Sequence, residues 1–266
     1  EFFAMRTQLQ AVPYDFILET QGLIKSGLVC ALARKTQNGL VTGLANATGH
    51  SGYEPMARAF YNQSVQVPLQ CHAVDRSRYV TCSALGWPLI DRSETAKFYP
   101  ASFIEAISDI TAIGLQQPYV LFFHSTAREA KRWGNAHWIE LGKKLAALGY
   151  QIVLPWGSVA EKVISQELAL QIPGSIVPNA FSIEEAFSVI ANAALVVGVD
   201  TGLTHLAAVL NKPTVEIYCD SPRWKTEGYW SNQIRNTGDI QAPPTAEEVI
   251  AASLELLSQS ISATKS

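Results

Sequence analysis

The chain has 266 residues, of which 48% are hydrophobic and 16% charged. That is an ordinary globular composition, long enough for one large domain or two modest ones whose core needs no disulfide or metal. The net charge of −3 excludes a global basic character that would attract nucleic acid, so any anionic partner must be held by local clusters. Cys30, Cys71, Cys82 and Cys219 form no CxxC pair and show no zinc spacing; they read as reduced thiols of a cytosolic protein. No apolar run reaches the roughly 18 to 20 residues that span a bilayer, and no signal peptide is visible.

In chain order, the sequence opens on Glu1-Phe2-Phe3 without an initiator Met and continues as an amphipathic helix to about Gln10. An α/β domain usually begins with a strand, so the chain reads as an N-terminally truncated one. A strand follows at Tyr14 to Leu18, then an apolar helix near Lys25 to Ala33. The stretch from Gln37 to Gly52, rich in Gly, Asn and Thr, reads as a loop. Helices are expected around Pro55 to Tyr61, His72 to Leu85 and Ala101 to Ile113, with Gly114 to Pro118 as an interdomain linker. Beyond it, Tyr119 to His124, Gln151 to Leu154, Leu195 to Val199 and Thr214 to Tyr218 are short continuous apolar runs, as in strands buried on both faces.

Helical patterns separate these runs. Trp138, Leu141, Leu145 and Leu148 share a face, and Gly149 stands where a C-terminal glycine belongs. Ser158-Val-Ala-Glu161, Ser182-Ile-Glu-Glu185 and Thr245-Ala-Glu-Glu248 read as capping boxes opening three further helices. Alternating strands and helices imply an α/β fold with parallel, doubly wound sheets. The division is into residues 1–115, a Rossmann-like domain lacking its first strands, and 116–266, a second Rossmann-like domain with a terminal helix.

Ligands of an open parallel sheet bind beyond the carboxyl ends of its strands. Three such segments are rich in small, polar or charged groups: His124 to Lys131, Pro155 to Glu161 and Asp200 to His205. In the last, a buried strand turns directly into a helix, whose free amides and positive dipole end favour an anion. Gly202 would let a phosphate approach the backbone, and the hydroxyls of Thr201 and Thr204 would add hydrogen bonds; equally, Asp200 merely caps the helix. Lys131 neutralises a diphosphate or, with Arg128 and Arg132, belongs to a solvated face. Glu161 binds a ribose diol or closes its capping box, two roles that compete for the same oxygens. His205 is a ligand-binding or a satisfied core histidine. His72 and Arg76, four apart, share a helical face suited to a carboxylate or phosphate, or are ordinary surface charge.

Several motifs coincide with one family. Tyr14-Asp-Phe-Ile-Leu-Glu-Thr-Gln-Gly-Leu-Ile-Lys-Ser26, Glu54-Pro55 with Phe60-Tyr61-Asn62, His72-Ala-Val-Asp-Arg76, Leu154-Pro-Trp-Gly157 and Val199-Asp-Thr-Gly-Leu-Thr-His-Leu206 resemble, in order, segments of the ADP-heptose lipopolysaccharide heptosyltransferases, and among them the heptosyltransferase I group. The resemblance implies a GT-B fold of two Rossmann-like domains and an inverting, metal-independent transfer of heptose from ADP-heptose to a Kdo sugar on lipid A. It implies no cofactor and no metal, and no Asp-x-Asp motif occurs. The enzyme would be a monomer, peripheral on the cytoplasmic face of the inner membrane.

By position, Thr126 and Lys131 meet the donor diphosphate, Glu161 the ribose, and Phe181 the adenine, and Ser125 belongs to the donor-binding set. Asp200, Thr201, Gly202 and His205 hold the phosphates and heptose, with Lys131 stabilising the leaving group. Lys25, His72 and Arg76 fall on the acceptor side. Ala127 replaces a frequent second Thr, and Tyr53 a usual Arg. The family's N-terminal strand and its G-D-x-L-H loop, with the Asp that acts as general base, have no counterpart; Asp15 and Glu19 follow no glycine-rich turn. Three readings follow: this transferase, acting on Kdo or on an already heptosylated core; a nucleotide-sugar epimerase on the same fold; or an ADP-binding module without catalysis.

Overall fold

The computed structural model describes residues 2–90, 114–116, 118–126 and 128–264. They form two compact units, one of Glu1–Asp91 with Trp224–Thr226, the other of Arg92–Arg223 with Glu227–Ser266. The helix expected at 101–113 and the position Ala127 lie outside the described residues, and the boundary expected near 115 adjoins them.

The first unit opens on α1 (Phe2–Ala11), followed by β1 (Tyr14–Leu18), α2 (Ile24–Leu32), β2 (Lys35–Leu44), β3 (Gln63–Val65) and α3 (Ala73–Leu85). Its sheet is parallel, in the order β1-β2-β3. One expectation is corrected here and another refined. The segment from Gln37 is not a loop: Lys35–Leu44 is a ten-residue strand, and its polar first half is exposed while Val41 to Leu44 are buried. The segment after Glu54-Pro55 is a 3-10 helix, Pro55–Phe60.

One carboxylate ties the first turn of this unit together. Glu19, 2% exposed, accepts from the backbone amides of Gln21 and Gly22, from Ser26 Oγ at 2.6 Å and from Tyr61 Oη at 2.5 Å. Gly22 sits at φ +75°, where a side chain is strained and would also meet the Tyr53 ring. Burial, then the Glu19 carboxylate, hold the Tyr61 phenol above its usual pKa.

The second unit carries β4 (Tyr119–Phe123), α4 (Asn135–Ala147), β5 (Gln151–Val153), α5 (Val159–Ala169), α6 (Ile183–Asn192), β6 (Leu195–Val199), α7 (Gly202–Val209), β7 (Thr214–Tyr218), β8 (Ile234–Gly238) and α8 (Ala246–Thr264). All five strands are parallel, in the order β5-β4-β6-β7-β8. Because strand side chains alternate between faces, the sheet splits its residues cleanly. Val120, Phe122, Val197 and Ile217 pack on one face with Trp138 and Leu145 of α4, Leu168 of α5 and Leu256 of α8. Tyr119, Leu121, Phe123 and Val196 pack on the other with Val189 and Ile190 of α6 and Ala207 of α7. This is the doubly wound arrangement expected.

The helix starts follow their caps. Ser158 and Glu161, and Ser182 and Glu185, form reciprocal capping boxes. Thr245 and Glu248 exchange the same two bonds. Gly149, at φ +90°, ends α4 as its position implied. Among the described residues no helix is long and apolar enough to cross a membrane.

Candidate functional site

The strand order places a switch point between β4 and β6, from which the connections leave in opposite directions; in open α/β sheets that is where ligands bind. The segments after β4, β5 and β6 meet there. Ser125 follows β4, Pro155, Trp156, Gly157 and Glu161 follow β5, and Thr201 and Leu203 follow β6. With Phe123, Phe181, Ser182, Ile183 and Ala186 they line a cavity of about 350 Å³. Phe123, Phe181, Ile183 and Leu203 make its wall mainly apolar, suited to the face of a planar ring.

Glu161 settles part of its own competition. Its Oε2 accepts from the amides of Gly157 (2.7 Å) and Ser158 (3.0 Å), so both of these bonds fall on one oxygen of a residue that also lines the cavity.

Beside Thr201 lies an ionic chain whose carboxylates are buried and whose cations are half-buried. Lys131 Nζ donates to Asp200 Oδ2 at 2.6 Å, His205 Nε2 stands 3.0 Å from Asp200 Oδ1, and His205 Nδ1 stands 3.0 Å from Glu216 Oε1. Glu216, fully buried, also accepts from Tyr218 Oη and the Gly228 amide, both at 2.8 Å. Burial pushes the His205 pKa down, but its bonds to Asp200 and Glu216 outweigh that and raise it to about 9. His205 is therefore a cation at neutral pH, donating through both ring nitrogens. Burial likewise works against the Asp200 charge, and the bonds from His205 and Lys131 override it, holding the carboxyl well below its usual range. Two cations thus face two carboxylates, and the cluster is close to neutral without a ligand.

The capping alternative for Asp200 is corrected. The residue that opens α7 is Thr201, with no side-chain capping bond, while Asp200 binds Lys131 and His205. Thr204 does not face a ligand either: it is fully buried and donates to Val199 O at 2.8 Å. Its methine and hydroxyl fill the space a side chain on Gly198 would need. Gly202 has open space where a Cβ would stand, and the first amides of α7 have no intrahelical acceptor. Thr126 follows Ser125 after β4.

Sequence reasoning passed over three residues. Glu216 interrupts the apolar run of β7, and a carboxylate inside a two-faced strand demands a buried partner. His124 and Ser165 form a buried pair behind Ser125 (Nε2 to Oγ, 2.8 Å). In the first unit, His72 is the N-cap of α3, 2% exposed, with Nδ1 accepting from the Val74 amide at 3.2 Å. Arg76 Nη1 lies 3.4 Å from Thr48 Oγ1, and Lys25 is exposed on α2.

The model of glycosyltransferase family 9, the heptosyltransferases, matches residues 2–254. The chain belongs to this family. It is similar to lipopolysaccharide heptosyltransferase 1 of Pseudomonas aeruginosa, 31% identical over 252 residues covering 92% of this chain and 65% of that protein. It is also similar to the Salmonella typhimurium protein of the same name, 34% identical over 87% of this chain and 69% of that one. The chain thus spans about two thirds of the length of these relatives. The solved Escherichia coli heptosyltransferase WaaC with ADP superposes with a TM-score of 0.76 at 30% identity, covering 96% of this chain and 76% of that one. The α/β fold with parallel sheets is that of these heptosyltransferase structures, of the GT-B type.

Proposed function

We propose that this heptosyltransferase-family chain binds ADP-heptose at the cavity of its second unit and serves the inverting, metal-independent transfer of heptose to the Kdo region of the lipopolysaccharide inner core. One observation carries the reading. Thr201 both lines the cavity and directly follows Asp200, the partner of Lys131. An apolar space for a base and ribose therefore runs into a helix terminus and a lysine suited to a diphosphate. That WaaC, similar to this chain, was solved with ADP supports an adenine nucleotide as the ligand.

Phe181 packs on the adenine, the ribose diol falls to Glu161, Ser125 contacts the donor from the cavity wall, and Thr126, Thr201 and the amides opening α7 surround the phosphates and sugar. In the displacement, an acceptor hydroxyl loses its proton and attacks the anomeric carbon as the bond to the ADP oxygen breaks. Negative charge grows on the diphosphate, where Lys131 and the α7 dipole stabilise it. Lys131 is already paired with Asp200, so the diphosphate must share it. His205 and Lys131 each hold one oxygen of Asp200 and keep it charged, so a heptose hydroxyl donating to Asp200 shares an oxygen with them. Glu19 is unsuited as the base, since both its oxygens accept hydrogen bonds in a buried site. Lys25, His72 and Arg76 are assigned to the acceptor side. With a lipid acceptor, the protein would work as a monomer at the cytoplasmic face of the inner membrane.

The test is calorimetry with ADP and UDP. ADP binds more tightly, and Lys131→Ala weakens it by about 1.5–3 kcal/mol, the range for hydrogen bonds to charged groups. Gly202→Val, filling the open space at the head of α7, abolishes ADP binding while circular dichroism stays unchanged. Equal affinity of both variants and wild type would remove the diphosphate from this position.

A further inference from the structure

Behind the cavity wall lies a buried hydrogen-bond chain that the transfer reaction does not use. His124, at the end of β4, is 4% exposed and Ser165 of α5 is fully buried. Ser165 Oγ lies 3.4 Å from the Pro155 carbonyl oxygen and 2.8 Å from His124 Nε2; His124 Nδ1 lies 2.9 Å from Ser125 Oγ. Ser125 itself lines the cavity.

Donor and acceptor roles along this chain are read from its far end, where Ser165 Oγ has two possible acceptors for its one proton, the Pro155 carbonyl and His124 Nε2. A carbonyl oxygen only accepts, so we direct the Ser165 hydroxyl proton to Pro155. Ser165 Oγ must then accept from His124, which puts the ring proton on Nε2. A neutral imidazole carries one proton, so Nδ1 is a bare acceptor and the Ser125 hydroxyl proton is spent on it. The ring is neutral for a physical reason: it is buried against the edge of Trp138, at 6.4 Å between ring centres. Burial, against the opposing pull of Glu161, lowers its pKa to about 4.

We propose that the Ser165–His124 pair is a positioning device that orients Ser125 Oγ as an acceptor toward the cavity, so that Ser125 receives a hydrogen bond from a ribose hydroxyl or base amino group of the bound nucleotide and gives none to its phosphates. The family resemblance placed Ser125 in the donor-binding set without saying which part of the donor it meets. It rests on the reading of the cavity as a nucleotide site, and adds the polarity of one contact. His124 and Ser165 act only through Ser125, and a hydroxyl locked in this way discriminates between ligands. A group that donates is accepted, whereas a phosphate oxygen at that point meets a lone pair.

Two measurements decide it. In 15N-histidine spectra of the wild type at pH 7, His124 should show a bare Nδ1 and a protonated Nε2. Ser165→Ala, which removes the acceptor that holds the proton on Nε2, should shift the ring toward the Nδ1–H form. A purely structural serine would leave the tautomer unchanged. Calorimetry then compares Ser125→Ala with wild type for ADP, 2′-deoxy-ADP, 3′-deoxy-ADP, inosine diphosphate and pyrophosphate. ADP should lose about three- to tenfold in affinity, as for one neutral hydrogen bond. The loss should vanish for the one analogue that lacks the donating group, and pyrophosphate should bind both proteins alike. A protonated Nδ1 in the wild type, or an equal loss for every ligand including pyrophosphate, would overturn the proposal. Absence of ADP binding by the wild type would instead overturn the nucleotide reading, with the tautomer still reporting the hydrogen-bond chain.

Discussion

The two units use the same strand and helix types but bury them differently. In β4, β6 and β7 every residue is buried, whereas in β1 four of five are exposed. Tyr14, Phe16 and Leu18 of β1 remain 37%, 44% and 37% accessible. The second unit also encloses charge: Glu216 sits fully buried in the middle of β7, held by His205, Tyr218 and Gly228. The first unit encloses a comparable carboxylate, Glu19, but at a turn, with neutral partners. The sheet with fully buried strands thus supports a charged chain at the ends of its strands, and the sheet with a largely exposed first strand supports a capped turn.

The comparison is broken most severely at Glu216. Glu216→Ala strands a protonated histidine, a phenol and an amide in the interior, and removing one member of a buried ion pair costs about 3–5 kcal/mol. Urea unfolding followed by Trp fluorescence should show the second unit losing that much, while β1–β3 amide exchange is unchanged. A loss below about 1 kcal/mol would mean the network adds little to the fold.

Alkaline pH gives the next effect. The His205 pKa is about 9 in the folded chain against 6.5 for an ordinary histidine. A raised folded value means the stabilisation is fully present below pH 6.5 and declines as pH rises through 9. At about 1.36 kcal/mol per pH unit the upper limit is about 3 kcal/mol, and it describes the same network as Glu216 rather than an addition to it. His205→Asn should remove this pH dependence; an identical stability profile between pH 6.5 and 9.5 in both proteins would contradict it.

Strand substitutions sharpen the contrast at the small end. Val197→Thr in β6, fully buried, places a hydroxyl in the core and should cost about 1–3 kcal/mol. Phe16→Thr in β1 should stay within about 0.5 kcal/mol, as surface changes do. It should also reduce self-association, because an exposed apolar edge strand pairs readily with other chains. Equal costs at both positions would mean that β1 is covered in solution.

This difference in burial also decided what was legible. The runs of β4 and β6 announce themselves because both faces are dry and every position is apolar, and β7 does so in spite of Glu216. β2 escaped, since its first half faces solvent and its Gly and Asn residues imitate a loop. β8, Ile-Arg-Asn-Thr-Gly, escaped as the last strand of its sheet, paired only with β7. The capping boxes were legible because their chemistry is local, four residues meeting within one turn. The same locality exposed Gly149 and the helix opened at Thr201.

By itself the amino-acid order determined the parallel doubly wound class, the helix starts of the second unit, and the family, through motifs spread from Tyr14 to Leu206. These are short-range patterns of hydrophobicity and hydrogen bonding that need no knowledge of what lies opposite. Tertiary structure alone decided who partners whom. Asp200 turned from a possible cap into the link between Lys131 and His205, Thr204 from a ligand-facing hydroxyl into core, and His72 into a buried cap. Glu216, whose partners its place in an apolar strand does not name, and His124 became the groups that set the charge of His205 and the hydroxyl of Ser125. Such roles depend on atoms brought within 3 Å from positions as far apart as Lys131 and Asp200, and a one-dimensional pattern does not contain that distance.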